Sequence, residues 1–373
     1  MSGAPVVGIL RHQQFQPSET FIRSQALALD GFSPLFIGRD PLRSSDLPAI
    51  SVADFGKRAI AAYTLTGTCR PLVSQLARRG TVLIHAHFGV EGAYAVKTAT
   101  ALNVPLVTTL HGFDVTISKR QLVASKRLSW LNYVAWRKSL FSKAAAFVCV
   151  SSYIRQRAIE WGYPADRTVL LPIGVDTDLI QPSPPQPERP TIVHVARLVE
   201  VKGTALLIKA FERVRKQVRD ASMVIVGDGP LRPQLQSLTS ELGLSDSIEF
   251  TGALPHAETL RVIAQASVFC LPSVTAANGA QEGLGLVLLE AAAAGKPVVG
   301  TLSGGIPEAV RDGINGFLVP ERDKDALADR LITLLADTSL CRQFGLAGRA
   351  MVEAEYNLGT QNRRLEALYR SLL

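Results

Sequence analysis

NGAQEGLGLVLLEAAAAGKPVVGTLSGGIPEAVRDGINGFLVP, residues 278–320, is the run that decides how this chain folds. It strings together a glycine-rich turn, an Ala/Leu helix opening near Leu286, an apolar run at 297–300, a second glycine-rich turn and another apolar run at 316–319. A small turn entering such a helix leaves several backbone N–H groups unpaired at the positive end of a dipole, which suits a phosphate. Glu282 and Glu290 flank the opening residues Gly285, Leu286 and Val287, with seven residues between the two acids. Carboxylates do not bind a phosphate, but they accept hydrogen bonds from sugar hydroxyls on either side of one, the arrangement a nucleotide-sugar requires. The plainer alternative is a Glu282 favoured only by the dipole and a Glu290 pointing to solvent. Against it, residues 286–294 hold a single charge, so the helix reads as buried, and a buried carboxylate needs a partner. A ribose diol would serve.

Outward from this run, short apolar β-rich segments alternate with longer helical patterns, the signature of βαβ units and parallel sheets. Strands are expected near 6–10, 33–37, 82–85, 106–109, 146–150 and 168–171, and again near 191–195, 223–226, 248–251, 268–271, 297–300 and 316–319. Between the two series lies QPSPPQPERP, residues 181–190, whose prolines remove donors and fix φ, so it reads as a linker. The expected organisation is an α/β chain with two Rossmann-like domains. Residues 1–175 form the first, 176–190 the linker, 191–355 the second, and 356–373 a helix that crosses back to the first, with Leu365, Leu368, Tyr369 and Leu372 at helical spacing.

The whole composition fits this division. A chain of 373 residues has the length of two domains, and 47% hydrophobic with 19% charged residues reads as soluble and globular. A formal charge of +8 suits an anionic partner: nucleic acid, an acidic membrane face or a phosphorylated small molecule. The opening MSGAPVVGIL has no basic n-region, and no window has the run of apolar residues a spanning helix needs, so a cytoplasmic location is expected. Cys69, Cys149, Cys270 and Cys341 are scattered without a CxxC, and buried free thiols are expected of them.

Open parallel sheets bind ligands beyond the carboxyl ends of their strands, which directs attention to the residues just after each run. Arg197 and Lys202 follow 191–195 at the start of a helix and together suit a diphosphate, the Arg as a planar fork and the Lys as a point charge. Taken as a pair alone they read as solvated loop charges; their place in the same domain as Glu282 favours the site. Gly227-Asp228-Gly229 lacks the third glycine of a dinucleotide fingerprint and reads as a turn. His111, just past 106–109 and followed by Gly112, is placed to donate to a sugar hydroxyl or to orient a leaving phosphate. His85 and His87 read as packing and loop hydrogen bonding, with no third metal ligand near. Ser18 or Thr20 suits a helix cap, in a turn that also stands at a strand's carboxyl end. Asp176 and Asp178 imitate a metal-diphosphate pair but abut the prolines rather than a sheet edge. Lys119, Arg120, Lys126, Arg127, Arg137, Lys138 and Lys143, interleaved with Trp130, Tyr133, Trp136 and Phe141, fit either a membrane-surface helix or a helix docked on the sheet with a solvated basic face.

Glu282 through Glu290, Gly304-Gly305-Ile306-Pro307-Glu308, Gly313-Ile314-Asn315-Gly316, Arg197 with Lys202-Gly203, His111-Gly112 and Gly174-Val175-Asp176 together resemble the retaining glycosyltransferases of family 4, with the GT-B fold. Pro17-Ser18-Glu19-Thr20-Phe21-Ile22 further resembles the subgroup that builds bacterial exopolysaccharides, colanic-acid-type enzymes included. The resemblance implies two parallel-sheet domains facing across a cleft. The second would bind a nucleotide diphosphate sugar, UDP-linked by preference and GDP-linked as the alternative, and the first a lipid-linked or oligosaccharide acceptor. It implies that Arg197 and Lys202 neutralise the diphosphate, Glu290 holds the ribose and Glu282 meets the donor sugar. The amides of Gly285, Leu286 and Val287 would assist, and His111 would lie at the reacting carbon. A metal-independent hexosyl transfer with retention is implied, with no cofactor. One departure stands out: paired glycines that many members carry after the first strand are replaced by Arg11-His12-Gln13-Gln14, so Ser18 and Glu19 are the substitutes expected there. The competing readings are a catalytically silent nucleotide-sugar sensor or scaffold, and a nucleotide-sugar epimerase on the same fold; no phosphorylase-type pyridoxal lysine signature is evident. A nucleic-acid partner is not expected, because the basic residues form no recognisable module.

Overall fold

The computed structural model describes residues 4–16, 19–42, 47–183 and 190–373. The chain divides into two compact units, one of Met1–Gly174 with Gly359–Leu373 and one of Val175–Leu358.

The first unit holds β1 (Val6–Leu10), β2 (Ser33–Gly38), β3 (Ala49–Ser51), β4 (Thr81–His87), β5 (Leu106–Leu110), β6 (Ala146–Cys149) and β7 (Thr168–Leu170). They pair in parallel in the order β3-β2-β1-β4-β5-β6-β7. The second holds β8 (Thr191–Val195), β9 (Ser222–Val226), β10 (Ile248–Gly252), β11 (Val268–Leu271), β12 (Val298–Thr301) and β13 (Gly316–Val319), also parallel, in the order β10-β9-β8-β11-β12-β13. Helices cover both faces of such sheets, so interior strands are apolar on every residue instead of alternating. Val268, Phe269, Cys270 and Leu271 of β11, for example, are all fully buried. Strand order reverses between β1 and β4 and again between β8 and β11, and a ligand crevice opens at such a switch point.

The twelve expected strands are present, with ends shifted by a residue or two; β3, a three-residue edge strand, was not expected because AIS is too short to show a pattern. All four cysteines are free and buried, and no helix among the described residues is long and apolar enough to cross a membrane. The carboxyl-terminal helix Leu358–Leu372 packs within the first unit, burying Leu365 and Tyr369. Its Glu366 accepts the amides of Asp30 at 2.6 Å and Gly31 at 3.2 Å, and the Asn362 amide donates to the Gln25 carbonyl at 2.8 Å.

Part of the expected linker lies within the described residues. Residues 177–183 are drawn against the second unit: Arg349 donates to the carbonyls of Thr177 and Ile180, and the Ser183 hydroxyl donates to Ala264. Residues 184–189 of the expected linker lie outside the described residues.

Candidate functional site

In the second unit the candidate side chains collect at the β8/β11 reversal. β8 ends at Val195 and the chain turns through Arg197 into a 3-10 turn, Glu200–Lys202, before the helix Thr204–Gln217. Gly203 joins the two at φ +66°, and a Cβ there would stand 1.8 Å from the Pro272 carbonyl oxygen just beyond β11. Only glycine lets the turn after β8 approach the chain beyond β11 so closely, next to the contact of Lys202 with Glu282. Lys202 Nζ donates to Glu282 Oε2 at 2.5 Å, with the side chains 23% and 13% exposed, and the Ser273 hydroxyl donates to the same oxygen at 3.2 Å. Gly304, at φ +54°, lies against the other side of Glu282, where a Cβ would meet the Glu282 carbonyl at 2.1 Å; the Gly305 amide donates to that carbonyl at 3.0 Å. The second glycine turn of the deciding sequence run thus fixes the backbone that carries this carboxylate. Gly227 and Gly229 do the same for Arg197, since Cβ atoms there would strike the Ala196 and Leu198 carbonyls; they shape the loop, as the sequence suggests. Arg197 itself is exposed.

The helix Leu286–Ala293 starts from Gly285 at φ +78°. Leu288, Leu289 and Ala291 to Ala293 are buried, whereas Leu286, Val287 and Glu290 are partly open on one face. That face is the only part of the helix able to meet a ligand, and it carries the first amides, which have no intrahelical acceptor. Glu290 has a protein partner in place of the bare solvent of the plainer alternative. His256, opening the helix His256–Ala264, brings its Nε2 to 2.9 Å from Glu290 Oε1. The hydrogen bond to Glu290 raises the imidazole's pKa against the opposing effect of burial.

In the first unit the β1/β4 reversal carries a second cluster. Arg11, just past β1, grips Glu19 through Nε at 2.7 Å and a terminal nitrogen at 2.8 Å, and also meets Glu91. Its guanidinium lies 4.5 Å above the centre of the Phe88 ring. Burial opposes the charge, but the carboxylates outweigh it and the arginine's pKa rises. Glu19, expected to face substrate, is held by Arg11 instead. Glu19 precedes the helix Thr20–Leu27 without a side-chain cap, so Thr20 is a helical residue and not the cap; Ser18 lies outside the described residues.

His111 follows β5 and is partly buried between Phe88, at 4.4 Å between ring centres, and Phe21, at 5.2 Å. Its Nε2 is 3.1 Å from Nδ1 of His87, the last residue of β4. The turn after His111 is fixed by Asp114, which accepts the amides of Gly89 and Gly112, each at 2.9 Å. Burial pushes the Asp114 pKa up to about 6 despite those amides. His85 is a packing residue, between the Tyr369 hydroxyl at 2.5 Å and the Thr109 hydroxyl at 2.6 Å.

The basic aromatic stretch forms two helices, Lys119–Ala124 and Leu128–Lys143. Its rings turn inward: Tyr133 is fully buried and stacks on Trp161 at 4.9 Å, and Trp136 packs on Tyr94 at 5.0 Å. The docked-helix alternative accounts for those rings. Val123 and Leu128 nevertheless remain 46% and 43% exposed, beside exposed Arg120, Lys126 and Arg127. Asp176 caps its own turn, accepting the amides of Asp178 and Leu179. Sequence reasoning passed over Ser273 and His256 and took Arg11 only as a departure. None had a local signal, because each meets its partner across at least eight chain positions.

Both units have counterparts among known proteins. Residues 175–351 match the model for glycosyl transferases group 1, and residues 37–179 match glycosyltransferase family 4. A GDP-mannose-dependent alpha-(1-6)-phosphatidylinositol monomannoside mannosyltransferase of Mycobacterium tuberculosis is 39% identical over 59% of this chain, which spans 60% of that enzyme's length. WcaL of Escherichia coli, provisionally named as a colanic acid biosynthesis glycosyltransferase, is 34% identical over 77% of this chain and 70% of its own. The crystal structure of Anabaena Alr3699/HepE in complex with UDP-glucose superposes with a TM-score of 0.78 at 21% identity, covering 99% of this chain and 100% of that one. Both units and their parallel sheets thus have the GT-B fold.

Proposed function

This chain belongs to the family 4 glycosyltransferases, with a group 1 module in its second unit, and from that premise we propose that it moves a hexose, with retention, from a nucleoside diphosphate sugar to a lipid-linked or oligosaccharide acceptor of a cell-surface glycan. The observation that carries the reading is the Lys202–Glu282 pair set beside the open face of the helix Leu286–Ala293 at the β8/β11 switch point. A cation, an acid and the free amides of a helix start complement what a sugar diphosphate presents: negative charge, hydroxyls and oxygen acceptors. The GDP-mannose relative and the UDP-glucose complex of HepE support the donor class; their names divide on the base.

In this reading Arg197 and Lys202 stabilise the charge that gathers on the departing diphosphate, aided by the amides of Leu286 and Val287 next to Gly285. Glu290, held by His256, accepts from the ribose, and Glu282 orients the donor sugar. The two cations supply the charge a metal would supply elsewhere, so no metal is required. His111, on the first unit, meets substrate at the carboxyl edge of β5, and that unit takes the acceptor. Val123 and Leu128, ringed by Arg120, Lys126 and Arg127, support contact with an anionic cytoplasmic membrane face, where a lipid-linked acceptor would be found.

The test is a screen of UDP- and GDP-sugars for nucleoside diphosphate release, with and without lipid-extract acceptors, in the presence of EDTA. Acceptor-dependent release that vanishes in Glu282→Gln, with an α-linked product from an α-linked donor, is the expected result. Tight donor binding without turnover would replace transfer by the silent-sensor reading, and loss of activity in EDTA would overturn metal independence.

A further inference from the structure

The pairing of β8 with β11 stops at Val193 with Phe269, although β8 stays paired with β9 as far as Val195 and β11 with β12 as far as Leu271. A fully buried imidazole, that of His194, stands where the pairing ends. Its Nδ1 lies 2.9 Å from the Cys270 carbonyl oxygen and its Nε2 3.0 Å from the Thr204 hydroxyl oxygen. A carbonyl only accepts, so Nδ1 carries the proton. Burial pushes the ring's pKa down to about 4, against the raising effect of the Cys270 carbonyl and with a smaller contribution from the Lys202 charge, so the ring is neutral at pH 7. A neutral ring protonated at Nδ1 keeps a lone pair at Nε2, and the buried Thr204 hydroxyl donates to it. Both protons of the bridge are thereby assigned by the one partner that has none to give.

Thr204 opens the helix Thr204–Gln217, two residues after Lys202. On the other side of Lys202, the Val201 carbonyl accepts the Val274 amide at 2.9 Å. The lysine therefore lies between two ties to β11 and the chain beyond it, a backbone hydrogen bond before it and the imidazole bridge after it. Without the bridge, the turn keeps only the Val201 bond and the packing of Gly203 on Pro272. We propose that His194 is a positioning residue for nucleoside diphosphate binding: by joining the Cys270 carbonyl to the Thr204 hydroxyl, it holds the turn that aims Lys202 at the diphosphate. The effect on binding rests on the role of Lys202 proposed above; the bridge itself does not.

The bridge is tested by long-range proton–nitrogen spectra of the labelled protein, with the His194 ring assigned by correlation to its own backbone. They should show Nδ1–H and an unprotonated Nε2 at pH 7.5 and still at pH 5.5; an Nε2–H signal overturns the proposal. Binding is tested with Thr204→Val, which removes the hydroxyl and keeps the shape of the side chain, so the fold is spared where loss of a fully buried ring would not spare it. Titration calorimetry with UDP and with GDP should show Thr204→Val weaker by about 3- to 10-fold, the size of one net hydrogen bond, and Thr204→Ser close to the unsubstituted protein. In a Lys202→Ala background, Thr204→Val should add nothing, because the group it misplaces is gone. An equal loss in both backgrounds overturns the proposal, since a merely structural threonine would act without the lysine. Amide exchange at residues 202–204 should quicken in Thr204→Val and not in Thr204→Ser; unchanged exchange also overturns it. If Lys202→Ala itself leaves binding unchanged, the diphosphate reading fails, and quickened exchange with Nδ1–H on His194 still upholds the bridge.

Discussion

Lys202→Ala should weaken nucleoside diphosphate binding, and the structure sets the size. The ammonium lies 2.5 Å from Glu282 Oε2 at a site about one-fifth exposed, 23% for the lysine and 13% for the acid. Two unit charges about 4 Å apart at an effective dielectric of ~20 interact by ~4 kcal/mol gross. A charge-assisted hydrogen bond retains ~1.5–3 kcal/mol of that after desolvation. A diphosphate that takes over the ammonium gains this and gives back part of the Glu282 contact, while in the variant it also faces Glu282 with no cation between. A net loss of ~2–3 kcal/mol, or roughly 30- to 150-fold, is expected. Titration calorimetry with UDP and with GDP, alongside circular dichroism for the fold, measures it. Lys202→Ala/Glu282→Gln separates two causes. If the lysine acts on phosphate, the double variant stays at least tenfold weak; if it only neutralises Glu282, affinity returns to within a few-fold of the original. Unchanged affinity in the single variant with a native spectrum would refute the placement of Lys202 at the diphosphate.

Three further outcomes are expected. His256 has its folded pKa raised by Glu290, so its contribution to stability is complete below about pH 6.5 and fades as pH rises through the raised value; urea melts of His256→Gln should therefore lose more stability at pH 5.5 than at pH 8.5, and an equal loss would contradict the pairing. Gly203 and Gly80 share φ +66°, but a Cβ at Gly80 meets nothing within 4 Å. Gly80→Ala should cost ~1–2 kcal/mol for its backbone alone, and Gly203→Ala about 2–5 kcal/mol or no soluble protein, by the same melts. Replacing Arg120, Lys126 and Arg127 by serine should cut sedimentation with anionic vesicles by about 10- to 100-fold at low salt, at ~1 kcal/mol per charge near the surface; no change would leave the exposed Val123 and Leu128 without a lipid role.

Much of this molecule is legible along the chain. Parallel strands covered on both sides must be apolar throughout, so FVCV in the first half and VFCL in the second declare themselves without alignment. β3 does not, because a three-residue edge strand buries too little to leave a pattern. The proline run was legible as an end to regular structure, yet its approach through 177–183 is tied down by Arg349, a residue more than 160 positions away.

The candidate site divides along the same line. Spacing alone put Glu282, Gly285 and Glu290 at the opening of one buried helix, because a helical period and a glycine-started turn are local properties of backbone geometry. The partner each acid would find was not a local property. Glu282 meets Lys202 because Gly203 lets the turn after β8 pack against the Pro272 carbonyl just beyond β11; Glu290 meets His256 from the neighbouring helix; Glu19 is taken by Arg11. Hydrogen bonds and ion pairs reach about 3 Å, and the chain brings such residues within that range only after the sheets have set their strand order. The sequence by itself determined two parallel-sheet units and the residue types at their carboxyl edges, and tertiary structure alone decided which charges and protons those residues share.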